Sequence, residues 1–234
     1  MIRDFIVKIL IKLKLYGFVV DCINRVKFEI QARKMKKDGK EMLHVADEIM
    51  SSMGIRAFLT YGTLLGAVRE KGFISYDPDI DLGVLYSEMD NRWEEVHNAM
   101  KKADFQLYKQ SYYKETGDII EETYIYKGLH LDLFFYFEEG EDLYSVVAGR
   151  HESKEWKEAN ESDGFPNERS YVSKTDFEKS DFLGLKVYMP VKTHEWLTAL
   201  YSDSYMTPIK NWSEDGYKTR RVKKENDRSY RRYF

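Results

Sequence analysis

The 234-residue chain holds a single cysteine, Cys22, which excludes an internal disulfide framework and any zinc site built from cysteines. It also lacks an excess of basic charge: 37 Lys and Arg stand against 40 Asp and Glu, a net charge of −3. Whole-molecule charge therefore gives no case for nucleic acid as a partner. Long apolar runs are missing as well. Residues 1–20 come nearest, with Ile2, Phe5, Ile6, Ile9, Leu10, Leu13 and Tyr16 at helical spacing, but Arg3, Lys8 and Lys12 break the run. That is too much charge for a signal peptide or a membrane span. With no signal, span or lipidation motif, the expected location is cytoplasmic. A basic amphipathic helix can nonetheless lie on an anionic membrane, so residues 1–20 are a candidate for peripheral contact at the inner membrane face, or for packing on the domain or a second subunit.

What is present reads as one catalytic domain of alternating elements. With 43% hydrophobic residues the chain can bury one good core. Gly17 reads as a break after the first helix, a second helical stretch with a basic face runs from about Val19 to Lys37, and Asp38-Gly39 reads as a helix boundary. Lys40 to Met53 follows as a strong helix, with Leu43, Ala46, Ile49 and Met50 inward and Gly54 as its stop. A strand over 55–60, a short helix over 64–69 and a strand through Asp81 come next, then a helix over 88–103. Four strands are expected over 105–113, 119–126, 130–137 and 143–147, paired antiparallel at one side of a mixed sheet. The polar stretch 150–180 reads as a long surface loop. A late strand over 183–189 precedes a helix, His194 to Tyr201, capped by Thr193. The divisions expected are a basic amphipathic helical segment over 1–37, a domain over 38–212 and a basic tail over 213–234, in which Arg221, Lys223, Lys224, Arg228, Arg231 and Arg232 are interleaved with Tyr230 and Tyr233.

The informative chemistry lies between Tyr61 and Leu85. Asp77, Asp79 and Asp81 recur with period two, so in an extended segment they project from one face while Ile80, Leu82 and Val84 project from the other. Pro78 disfavours helix at Asp77 and stiffens the entry to the strand. Like charges this close repel unless a cation lies between them, and Mg²⁺ (or Mn²⁺) is the hard ion such carboxylates suit. Upstream, Gly62 lets a phosphate approach the backbone, Thr63 can cap the helix that follows, and Arg69 can reach the same phosphate or pair with Glu70. Downstream, Asp132 stands in Leu129–Phe137, the most apolar segment of the chain. A polar group buried there without a partner costs several kcal/mol, about 2–7 by transfer estimates, so Asp132 needs a cation or a donor. His130 shares its face. Aspartates beside a proline often only form a turn, which accounts for Asp77 and passably for Asp79. It does not account for Asp132 together with the Gly62-Thr63 turn.

These motifs, YGTLLGAVR over Tyr61–Arg69, Gly72-Phe73-Ile74, Asp77-Pro78-Asp79-Ile80-Asp81-Leu82-Gly83 and the apolar strand around Asp132, resemble the LicD/fukutin family of nucleotidyltransferase-like phosphotransferases. Met189-Pro190, the helix with Trp196 to Tyr201, and Tyr205-Met206-Thr207-Pro208 resemble the family's closing segment. Many LicD sequences carry an unbroken Trp-Asp-Asp-Asp-Ile-Asp run where this chain has Tyr76-Asp77-Pro78-Asp79-Ile80-Asp81, and Leu82-Gly83 leans towards the fukutin side. The resemblance implies an α/β (α+β) fold, a nucleotidyltransferase-like mixed sheet flanked by helices, with the N-terminal helical extension added to it. It also implies metal-dependent transfer of a phosphorylated small group, such as ribitol phosphate or phosphocholine, from a CDP-activated donor onto a glycan or lipid-linked glycan, releasing CMP. Asp79 and Asp81 become the paired metal ligands, Asp132 the third carboxylate, and Gly62 and Thr63 the phosphate turn, with Arg69, Asp77 and His130 as further candidate contacts. The same carboxylates also suit transfer of a nucleotide from a triphosphate with release of pyrophosphate. A non-catalytic subunit of a glycan-assembly complex is the third alternative.

Overall fold

The computed structural model describes residues 16–89, 91–149, 156–208 and 220–234. Residues 1–15, most of the stretch 1–20 expected to contact a membrane, lie outside the described residues. The first element is a long helix, α1 (Tyr16–Ser52). Its buried side chains Met35, Met42, Leu43, Ala46 and Met50 recur at helical spacing, which places one stripe against the sheet. The breaks expected at Gly17 and at Asp38-Gly39 are not found, since α1 includes Gly17 and runs straight through Asp38-Gly39. Glycine stands there for packing: a Cβ on Gly39 would lie 2.6 Å from Met35 Sδ and 3.1 Å from the Phe73 ring. Gly54 does end the helix, at φ +71°, with Gly54 N–H donating to Ser51 O and Ile55 N–H to Met50 O.

After α1 the order is β1 (Phe58–Leu59), α2 (Tyr61–Arg69), β2 (Asp79–Leu85), α3 (Tyr86–Met89), α4 (Trp93–Lys102), β3 (Gln106–Tyr112), β4 (Ile119–Tyr126), β5 (Leu129–Glu139), β6 (Asp142–Ala148), α5 (Trp156–Glu161), β7 (Phe165–Ser173), β8 (Phe177–Phe182), β9 (Leu185–Pro190), α6 (Thr193–Tyr201) and β10 (Arg221–Tyr233). The fold is α+β, a large mixed sheet flanked by helices. The strands follow the order β4-β3-β10-β7-β6-β5-β2-β1-β9-β8, with β4 also paired to β5. The pairings β4–β3–β10–β7–β6–β5–β4 thus form a closed circuit, and β2, β1, β9 and β8 extend from it as an open wing. β5 joins the two parts. Its first half pairs with β2 in parallel and with β4 antiparallel, and its end pairs with β6.

The two faces of the β2–β5 pair differ. Ile80, Leu82, Val84, Leu131, Leu133 and Phe135 are fully buried, on the face that receives α1 and, through Trp93 against Phe135, α4. The opposite face carries Asp79, Asp81 and Asp132, with α2 packed on β2 and on α6. Trp196 of α6 meets Phe58 and Tyr136 there.

Four further expectations are corrected. The helix expected over 88–103 is two pieces, α3 and α4; Asn91 is left-handed at φ 59°, and Glu88 turns to accept from Arg56 N–H and Nε, both at 2.7 Å. The loop expected over 150–180 contains β7 and β8 and the short helix α5. Its inward positions include Asn167 and Ser170, so the alternation of apolar residues that marks a strand is weak. Thr193 does not cap α6: its hydroxyl donates to Pro190 O and the N-cap position is Lys192. The basic C-terminal stretch is strand β10, inserted between β3 and β7.

Gly83 fixes the approach of β1 to β2, because an added Cβ would lie 2.2–2.9 Å from three atoms of the Phe58 ring. Gly83→Ala is expected to lower the unfolding free energy by about 1–3 kcal/mol, read from the urea midpoint. An unchanged midpoint contradicts this packing.

Candidate active site

Parallel pairing of β2 with β5 sets Asp79 opposite His130 and Asp81 opposite Asp132. Neighbouring strands stand about 4.8 Å apart, so Asp132 of β5 joins Asp79 and Asp81 of β2 from the adjacent strand. Pro78 turns the chain into β2 and leaves Asp77 beside the pair. Within the described residues, Asp77, Asp79 and Asp81 form the acidic cluster, each offering an oxygen within 4.8 Å of the others. Asp132 lines the same cavity, of about 420 Å³, with Tyr61, Gly62, Arg69, Tyr76, Phe134, Tyr201 and Arg221.

The helix α2 holds this geometry from below. Gly62 N–H donates to Asp81 Oδ2 at 2.9 Å, and Asp81 N–H donates to Thr63 Oγ1 at 2.8 Å. The expected cap is thus corrected: Thr63 grips the backbone of Asp81 rather than its own helix end, whose N-cap Thr60 makes no side-chain cap bond. The Gly62 amide is likewise engaged by a carboxylate. A Cβ at Gly62 would fall 2.1 Å from Asp77 Oδ2 and 3.2 Å from Asp81 Oδ2, so a larger residue would displace the Asp77 carboxylate. Tyr61, the first residue of α2, sits at φ 40°, a strained region for a bulky residue. Its hydroxyl bonds Ser145 Oγ and its ring lies 4.7 Å from that of Phe134, which holds it at the cavity wall.

Asp132 has its own surroundings. Thr123 Oγ1 donates to its Oδ1, while Glu121 is paired with Lys109 at 2.8 Å and accepts from Ser111 at 3.1 Å. Arg69 is occupied, with Nε to Glu70 at 2.9 Å, Nη2 to Tyr76 at 3.3 Å and Nη1 to Tyr205 O at 3.4 Å. His130 is exposed, stacked on Tyr108, and does not line the cavity.

Burial and mutual repulsion push every acid of the site upward. Asp79 rises to about 7, first through burial and then through the charge of Asp77. Asp132 rises to about 7 through burial and then Glu121, with Lys109 opposing. Asp81 is driven well up by burial and by Asp79, Asp77 and Asp132, and Asp77 is raised by burial. A divalent cation inverts this logic, because it stabilises the ionised forms that the bare site disfavours. The donor set fits such an ion: three carboxylates, no thiol, no imidazole, and a glycine that leaves room for them. All-oxygen sets of this kind suit Mg²⁺ or Mn²⁺.

Residues 54–192 match the family model described as LicD/FKTN/FKRP, nucleotidyltransferase domain. The chain belongs to the LicD family. Its relatives include the proteins named Ribitol-5-phosphate transferase FKTN of Mus musculus, 27% identical, and of Homo sapiens, 26% identical, each over 184 residues. That alignment covers 78% of this chain and 36% of either relative, so this LicD-family chain spans about a third of their length. An uncharacterized Rickettsia prowazekii protein is 33% identical over 64 residues, 25% of this chain and 24% of that one. The stretch matched to the LicD model contains Gly62, Thr63, Arg69, Asp77, Asp79, Asp81, His130 and Asp132, whereas Tyr201 and Arg221 lie beyond it. Sequence reasoning missed both of these, and it missed Tyr61, Tyr76 and Phe134 as lining residues too. The basic composition of the C-terminal stretch was visible, but nothing local in it says which residue meets the cavity.

The raised acids give a testable sign. Asp79 and Asp132 keep protons to about pH 7 when folded, against an ordinary value of 3.8, so the metal-free protein loses their contribution to stability as pH rises from about 4 through about 7. Mn²⁺ should therefore raise Tm more at pH 8 than at pH 5.5, and metal-free Asp79→Asn should exceed the metal-free wild type in Tm at pH 8 but not at pH 5. Equal Mn²⁺ gains at both pH values contradict the clustered carboxylates.

Proposed function

We propose that this domain is a phosphotransferase that moves an alditol phosphate, such as ribitol 5-phosphate, from a CDP-activated donor onto a hydroxyl of a glycan, releasing CMP. The observation that carries the proposal is the convergence of Asp77, Asp79 and Asp81 with Asp132 in one cavity of a LicD-family domain. The names of the FKTN relatives supply the alditol. In the step proposed, the acceptor oxygen attacks the donor's β-phosphorus, the bond to the bridging oxygen breaks, and CMP leaves with that electron pair. The acceptor's proton passes to Asp132, whose pKa of about 7 suits a general base at neutral pH. A divalent ion held by Asp77, Asp79 and Asp81 would neutralise the donor's diphosphate. Thr63 and Gly62 keep Asp81 fixed, so little has to reorganise during the reaction. Tyr61, Tyr76, Phe134 and Tyr201 offer the cavity's aromatic surface for the base or sugar.

The basic amphipathic pattern of residues 1–20 supports an acceptor that is lipid-linked and met at the inner membrane face. Among the described residues no helix is long and apolar enough to cross a membrane. The family description, a nucleotidyltransferase domain, favours one second reading, transfer of a nucleotide from a triphosphate with loss of pyrophosphate.

One assay separates the two. Purified protein with Mg²⁺ is offered CDP-ribitol, CDP-choline and CTP, and CMP and pyrophosphate are measured. CMP from CDP-ribitol is expected, with kcat falling by about 10²–10⁴-fold in Asp132→Asn and turnover lost in Asp79→Asn while the protein stays folded. Pyrophosphate from CTP with no CMP from either CDP compound overturns the proposal, as does full activity in Asp132→Asn.

A further inference from the structure

The cavity is lined by four carboxylates and by two cations, Arg69 and Arg221. The two cations are not equivalent. Arg69 spends its donors on Glu70, Tyr76 and Tyr205 O. Arg221 enters from β10, opposite Ser170 of β7, and its Nε–H is enclosed with no acceptor. Its ion pair with Glu168 is long, 3.8 Å from Nη1, and Lys223 serves the same carboxylate at 3.0 Å. A guanidinium carries five donors, and an enclosed N–H of a charged group left without an acceptor is unfavourable. The chain nevertheless holds this one firmly. The preceding residue, Arg220, is fixed by its backbone N–H to Ala199 O, by its carbonyl accepting from Tyr171 N–H, and by a two-armed ion pair with Asp142.

We infer that Arg221 is the phosphate-gripping residue of this site, its Nη donors, held only by the long pair with Glu168, meeting oxygens of the donor's diphosphate. The inference rests on the phosphotransferase reading for the identity of the ligand, and on the unmet donors of Arg221 for the residue. Planar donors in a fork match phosphate oxygens in pairs, which a lysine cannot reproduce. It gives β10 a task beyond closing the strand circuit, and it draws on a residue outside the stretch matched to the family model. The competing account, in which Arg221 only offsets the surrounding negative charge, predicts a loss of stability and no ligand-specific defect.

The test is calorimetric binding of CDP and of inorganic pyrophosphate, each with Mg²⁺, to the full chain and to Arg221→Gln and Arg221→Lys, with Mn²⁺ affinity and Tm measured beside it. Arg221→Gln should weaken CDP binding and raise KM for CDP-ribitol by about 10- to 100-fold, the range of one hydrogen-bonded charge, with Mn²⁺ affinity unchanged. Arg221→Lys should fall between, at the wild-type Tm. If Arg221→Gln does not fold, Arg221→Lys decides, and wild-type CDP affinity in it overturns the inference. Wild-type CDP affinity in a folded Arg221→Gln overturns it too, whatever the Tm. Arg221-dependent CDP binding without any CMP from CDP-ribitol supports the grip and removes the proposed reaction; CMP release that ignores Arg221 does the reverse. A wild type that binds neither CDP nor pyrophosphate removes both.

Discussion

Acids that repel one another, held in place by strands that cannot part, are the constraint from which the rest of this structure follows. Asp81 and Asp132 face each other because β2 and β5 are parallel neighbours in register, and a slip of one residue would turn the slipped strand's aspartate into the core. The slip is blocked from behind. Ile80, Leu82, Val84, Leu131, Leu133 and Phe135 are fully buried on the far face, so the hydrophobic contribution that fixes the strands also sustains the charge repulsion in front. Burying such groups costs free energy unless something charged or donating meets them. The chain supplies only part of that, through the Gly62 amide and Thr123.

The surrounding elements make sense as supports for that arrangement. α2 is pinned to β2 at Asp81 by both its amide and its hydroxyl contacts, and Gly62 is the residue that lets the helix come so close. α6 closes the same face with Trp196 against Phe58 and Tyr136. β10 then completes the strand circuit and carries Arg221 to the cavity from the opposite end of the chain. Segments from Tyr61 to Arg221 therefore contribute to one small volume. The carboxylates come from the open wing and its junction strand, and Arg221 from the closed circuit.

Much of this was legible in the residues because the signals were short-range and periodic. Alternating aspartates after Pro78, an apolar strand interrupted by Asp132, and Gly54 after a helical stripe each report a local conformation, and β2, β5 and the end of α1 follow. The parts that were not legible depend on partners distant in sequence. β7 and β10 bury polar groups in pairs, with Asn167 and Arg169 both donating to Asp227 and Ser229 donating to Asn167, so their inward faces do not look apolar. Gly39 resembles a helix stop until Met35 and Phe73 are seen beside it. Thr63 resembles a cap until Asp81 takes its oxygen. Arg221 is one of several basic residues until the strand pairing selects it.

The central claim is that the repulsion in front of β2 and β5 is resolved by a divalent ion. Crystals of the protein soaked in Mn²⁺ test it most directly, through anomalous scattering at the manganese edge. The account predicts a peak bound by Asp77, Asp79 and Asp81, with Asp132 at the wall beside it. Well-ordered carboxylates with no peak between them, or a peak held elsewhere on the surface, would contradict it.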